Sequence, residues 1–141
     1  MLKKWNTFIS EAKDTEFLAS RVVCVGPDNT ILIIKRSPDS FTGAGKWDIP
    51  GGGVDSEDNS FEQAAIRELF EETCLNFDEE DLVYLGRKDW REDVVHYYGV
   101  FVDKGEIKLL PNPESGFVEH TDYKWATIEE IIQYEKQDLT I

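Results

Sequence analysis

Hydrophobic and polar positions divide the chain into runs with two different periods. Leu18-Ala19-Ser20-Arg21-Val22-Val23-Cys24-Val25 is β-branched and apolar, and Gly26-Pro27-Asp28-Asn29 is turn chemistry. Thr30-Ile31-Leu32-Ile33-Ile34-Lys35-Arg36 then reads as a second strand, so the two form a predicted hairpin. Because both runs are almost continuously apolar, both faces of their sheet must be covered. Leu82–Trp90 and Val94–Val102 read as another strand pair across Arg91-Glu92-Asp93, and Ile107–Leu110 as a short edge strand. Between these strands the period changes to helical. Ser60-Phe61-Glu62-Gln63 fits a capping box, with Ser60 as N-cap and Gln63 reaching back to it, and the helix is predicted from Phe61 to about Thr73. A second amphipathic helix follows Ala126, capped by Thr127 with Glu130 three positions on. The first sixteen residues are a weakly patterned polar lead-in, read as a short helix or an edge strand.

The first predicted helix has two faces. A helix turns about 100° per residue, so Ala65, Ile66, Leu69 and Phe70 gather on one side, and Glu68, Glu71 and Glu72 share an arc of roughly 100° on another. Glu68 and Glu72 are four apart, where like charges oppose the helix, and Arg67 cannot neutralise all three. A hard divalent cation would, because Mg²⁺ is held by carboxylate and phosphate oxygens. By itself an acidic helix face is most simply a solvated one. The preceding Pro50-Gly51-Gly52-Gly53 changes that, because glycines let a backbone turn sharply or approach a ligand closely.

Gly53, Arg67-Glu68-Leu69, Glu71-Glu72 and Leu75 stand at the spacing of the Nudix box, and residues 53–75 resemble it. Asn59 occupies the position of the first box Glu, with Asp58 and Glu57 beside it, and Cys74 replaces the Gly after the helix. The resemblance implies an α/β/α sandwich with a mixed β-sheet, a single domain over 1–141. It implies a metal-dependent hydrolase that cleaves the diphosphate linkage of a nucleoside diphosphate joined to another group. Glu68, Glu71 and Glu72, with backbone at Gly52, would hold Mg²⁺ or Mn²⁺, and Arg67 would orient the trio. Glu119 would be the base, ahead of Glu114. Arg36, Trp47, Gly53 and Tyr98 are the candidate substrate residues. A catalytically silent nucleotide-binding module is the alternative. The expected substrate is a nucleoside triphosphate or related small nucleotide, with ADP-ribose-like sugars and dinucleoside polyphosphates as alternatives.

Composition narrows the partners. The 141 residues carry 15 Lys plus Arg against 29 Asp plus Glu, a formal charge of −14. That field disfavours nucleic acid and anionic membranes, whereas metal and a few cations can still focus a small nucleotide. Cys24 and Cys74 are too few for a disulfide framework, and Lys3 and Lys4 are followed by charged residues instead of a signal-peptide core. The expectation is a cytoplasmic monomer or homodimer. His96 is read as a packed strand residue, since no second His or Cys stands at metal-ligand spacing.

Overall fold

The computed structural model describes residues 17–41, 43–90, 92–103 and 105–136, so the reading of the first sixteen residues lies outside it. In chain order the elements are β1 (Leu18–Val25), β2 (Ile31–Arg36), β3 (Trp47–Asp48), β4 (Gly51–Gly53) and α1 (Phe61–Thr73). A single 3₁₀ turn (Glu79–Asp81), β5 (Val83–Trp90), β6 (Asp93–Phe101), β7 (His120–Ala126) and α2 (Ile128–Lys136) follow.

β1 and β2 form the expected antiparallel hairpin, paired at Val25 and Ile31, with Asn29 in the left-handed region at φ 59°. They then diverge. One continuous segment, Trp47 to Gly53, fills the fork: Trp47 and Asp48 pair with Lys35 and Ile34 of β2, and Gly51–Gly53 pair with Arg21, Ser20 and Ala19 of β1. On its other edge β1 runs parallel to β6 from Leu18↔Val94 to Val25↔Phe101, and β6 is antiparallel to β5. β7 covers the outer edge of β2. The sheet is therefore mixed, and the parallel β1–β6 pair requires a crossover, which α1 and β5 supply.

Side chains of β1 and β2 serve two cores, as continuous apolar strands require. Val22, Cys24 and Leu32 pack with Phe61, Ala65 and Leu69 of α1 and with Val94, Tyr98 and Val100 of β6. On the opposite face Ile33, Ile49 and Ala126 pack with Val23, Trp47 and Tyr97 and with Ile131 and Tyr134 of α2. The result is the α/β/α sandwich. Burial pushes the Cys24 thiol up to about 12, which leaves it an inert core residue. No helix among the described residues is long and apolar enough to cross a membrane.

Two readings of the pattern need correction. Ile107–Leu110 is not a strand: Ile107 is buried, and Lys108 N–H donates to the carbonyl of Thr73 at the end of α1 (3.0 Å). Burial accounts for the apolar character of Ile107, Leu110 is 56% exposed, and the backbone between them bonds to the helix end instead of to a strand. Phe70, grouped with the core face of the helix, is 50% exposed.

Candidate active site

α1 starts as its sequence dictates. Ser60 has extended backbone and its Oγ accepts from Gln63 N–H (3.1 Å). The return bond goes one residue further back than expected, since Gln63 Oε1 accepts from Asn59 N–H (3.1 Å). With Phe61, Ala64, Ala65 and Leu69 buried, the glutamates face the β4 side of the fold. The helix ends at Cys74, which adopts φ 65° and donates its N–H to Phe70 C=O (2.8 Å).

The three glycines bring β4 against those carboxylates. A Cβ on Gly51 would lie 2.3 Å from the Ser20 carbonyl, and one on Gly52 would lie 2.6 Å from the Glu68 carboxylate. Gly51 has φ 151°, and its N–H donates to Glu72 Oε1 (2.7 Å). Burial raises the Glu68 carboxyl to about 7, opposed by Arg67 and reinforced by Glu71 and Glu119. Glu72, almost fully buried, is pushed well up by desolvation and by Glu68 and Glu119. Glu119, forty-seven positions beyond Glu72 in sequence, is thus brought to the same carboxylate cluster.

Arg67 holds this cluster from the side. Its Nε and Nη2 meet Asp58 Oδ1 and Oδ2 at 3.0 and 2.8 Å, and Nη2 also donates to Gly53 C=O (3.0 Å). Its Nη1 reaches Glu68 at 3.1 Å and Glu71 at 3.4 Å. The Asp58 hydrogen bond is the main reason the guanidinium is bound so firmly in its charged form. Asp58, 5% exposed, therefore takes the place next to Arg67 for which Asn59 lacks the charge.

Two clefts flank the carboxylates, with Glu68 and Gly53 in the wall of both. The larger, about 700 Å³, contains Glu72, Glu119, His120, Arg21 and Arg36, with Phe17, Phe41 and Phe117 among its lining. The smaller, about 390 Å³, contains Arg67, Glu71 and Glu114. Of the sequence candidates, Arg36, Gly52, Gly53, Glu68, Glu72 and Glu119 meet in the larger cleft. Trp47 and Tyr98 do not. Trp47 stacks on Tyr134 of α2 (centroids 5.9 Å apart) in the core on the opposite face. Tyr98, 2% exposed, donates its hydroxyl to Glu62 Oε1 (2.8 Å) within the α1 core. His96 stacks on Phe61, centroids 3.8 Å apart, in keeping with a packed strand residue.

The structure adds Arg21, Asp48 and His120 to the groups that the sequence singled out. Arg21 and Arg36 both pair with buried Asp48, at 2.9 and 3.1 Å, and Arg21 also donates to Ile49 C=O (3.0 Å). Burial raises the Asp48 carboxyl while the two arginines lower it, so the three form one tether across the strand fork. A cation inside an otherwise apolar strand was the available signal for Arg21. His120 Nε2 lies 3.7 Å from Glu72 Oε2, and burial with Arg36 and Arg21 holds the imidazole down to about 4, hence neutral.

Carboxylate oxygens that destabilise one another, beside a backbone that only glycine permits, fit a hard divalent cation. A profile described as NUDIX domain matches residues 16–140, and the chain belongs to the NUDIX family, whose enzymes are pyrophosphohydrolases. Solved structures share the fold. The MutT protein of Methanosarcina mazei Go1 aligns with TM-score 0.60 at 22% identity, over 89% of this chain and 96% of that one. The NUDIX domain of Shewanella oneidensis NrtR, complexed with ADP ribose, gives 0.65 at 22%, over 89% of each chain. A C. elegans Ap4A hydrolase gives 0.63 at 22%, over 84% and 86%. No curated protein sequence gives a significant match.

Proposed function

We propose that the chain hydrolyses the diphosphate linkage of a small nucleotide, a nucleoside triphosphate or a relative of one, by water attack at phosphorus. The observation that carries this reading is the convergence of Glu68, Glu72 and Glu119 in a cleft that also contains Arg21 and Arg36. Glu68, Glu71 and Glu72, with the backbone at Gly52, are the groups for Mg²⁺ or Mn²⁺. Such a cation neutralises the diphosphate and acidifies a bound water. Arg67 keeps Glu68 and Glu71 in place through its grip on Asp58. Arg21 and Arg36 bind phosphate oxygens, and the cleft phenylalanines offer apolar faces to a base. Glu119 accepts the proton of the attacking water; its Oε1 is oriented by Asn112 Nδ2 at 3.2 Å. Glu114 belongs to the smaller cleft, on the Glu71 side. ADP-ribose-like nucleotides and dinucleoside polyphosphates remain the alternative substrates, with the NrtR domain and the Ap4A hydrolase as structural precedents for each.

The test is a substrate panel assayed with Mg²⁺ and Mn²⁺, repeated with Glu72→Gln and Glu119→Gln. We expect metal-dependent turnover, its near abolition in Glu72→Gln, and a kcat loss of roughly 10²–10⁴-fold in Glu119→Gln with a smaller change in affinity. Wild-type-like kcat in Glu72→Gln at saturating metal refutes the metal assignment. Nucleotide binding without turnover by the unaltered protein would identify a binding module.

A further inference from the structure

Glu119 and His120 are neighbours at the start of β7, where extended backbone normally sends adjacent side chains to opposite faces. Here the register of β7 on β2 slips: Lys35 pairs with Asp122, but Arg36 pairs with His120. Two residues of β7 are thus spent on one of β2, and such a bulge re-aims side chains. The backbone is fixed there, since Ser37 N–H donates to Glu119 C=O (2.8 Å). The extra residue is Thr121, just past His120, and one ligand atom each from Glu72, Glu119 and His120 lies within 4.8 Å of the other two.

His120 is what separates this cluster from a group of acids. It is 8% exposed, and among the described residues its ring makes no hydrogen bond. Its Nε2 stands 3.7 Å from Glu72 Oε2, beyond hydrogen-bond range but close to the spacing of two ligands on one ion. Two ligands at about 2.1 Å from a common cation lie about 3.0–3.4 Å apart, depending on the angle. Glu72 is prepared for sharing: its Oε1 accepts from Gly51 N–H, leaving Oε2 as the oxygen nearest His120.

We infer that Glu72, Glu119 and His120 form a second cation position beside the box carboxylates, with an imidazole ligand that favours a transition-metal dication over Mg²⁺. This rests on the reading of the box as a metal site and extends it. Mg²⁺ takes oxygen ligands, whereas an imidazole nitrogen suits later first-row dications such as Co²⁺ or Zn²⁺ and is accepted by Mn²⁺ alongside oxygen. Glu72 bridges the two positions. Glu119 needs only one oxygen for the ion and keeps the other for the water proton.

The experiment uses the metal-free full chain titrated separately with Mg²⁺, Mn²⁺ and Co²⁺. Pulsed electron paramagnetic resonance of the Mn²⁺-loaded protein should show coupling to an imidazole ¹⁴N. His120→Gln should abolish that coupling and weaken Co²⁺ binding by at least about tenfold, with Mg²⁺ affinity changed by less than about threefold. Bound Mn²⁺ with no nitrogen coupling in the unaltered protein overturns the inference, and needs no variant that must fold. Unchanged Co²⁺ affinity in a folded His120→Gln overturns it too. If neither Mg²⁺ nor Mn²⁺ binds, the box reading falls with it.

Discussion

Glu68 is held where a carboxylate is least comfortable. Its carboxyl titrates near 7 in the native metal-free protein against an ordinary 4.5, so between these values the folded state binds more protons than the unfolded one. Stability attributable to Glu68 therefore falls as pH rises through that window. Glu68→Gln has no such term. Without metal, it should match the parent near pH 4.5 and exceed it by on the order of 3 kcal/mol at pH 8, measured by urea unfolding in chelator. The depressed His120 acts in both proteins and cancels from the comparison. A constant difference across the window would show that Glu68 is not desolvated. Cys74 is a second residue under local strain, with φ 65° on a side chain that carries a Cβ. Cys74→Gly should stabilise the protein by about 1 kcal/mol, read as a shift in the urea midpoint. Both sites were legible in the sequence because helical period and helix ends are local properties. Tyr98 and Arg21 were not. Which face of a strand meets a cleft is decided by its neighbours: Tyr97 and Tyr98, adjacent in β6, enter different cores.

At the scale of elements, the Arg67–Asp58 ion pair ties the loop after the glycine strand to the helix, beside the direct bond from Gly51 N–H to Glu72. Asp58 sits in the loop between β4 and α1, and it accepts from Arg67 at 3.0 and 2.8 Å while Arg67 spans to Gly53 and Glu68. Removing Asp58 frees the loop and leaves the guanidinium without its two-point carboxylate partner. Asp58→Ala should cost about 2–3 kcal/mol of stability by chemical denaturation. It should also lower kcat more than tenfold, because carboxylate placement is part of catalysis. A variant with kcat within twofold of the parent would restrict Asp58 to stability. The position of Asn59 in the box pointed to this joint with Asp58 or Glu57 as its acid; loop geometry, which spacing alone does not encode, selected Asp58. The same limit explains Ile107–Leu110. Ile107 is buried as its apolar character announced, yet Leu110 is exposed and the backbone caps α1 through Lys108 instead of extending the sheet.

Across the whole molecule the sandwich separates two duties. The α1 face and the strand fork carry the carboxylates and the arginine tether, whereas α2 closes the opposite face with Ile131 and Tyr134 over Ile33 and Trp47. The segment that splints the fork joins these faces: Trp47 packs beneath α2, and six residues later Gly53 lines both clefts. Their closeness in sequence made Trp47 look like a ligand contact, but Trp47 lies in β3 and Gly53 in β4, and the segment that joins them runs from one face of the layer to the other. Truncation should separate the duties. Trp47→Ala removes an aromatic packed on Tyr134 and should cost about 3 kcal/mol, with the KM of the remaining native protein within threefold of the parent. Arg21→Ala, on the cleft side, should raise KM about tenfold, since it removes a cleft guanidinium proposed above to meet phosphate. Urea unfolding and initial rates on the same preparations decide between them. If Trp47→Ala raised KM as much as Arg21→Ala, the two faces would not be independent, and Trp47 would return to the list of residues that shape the substrate cleft.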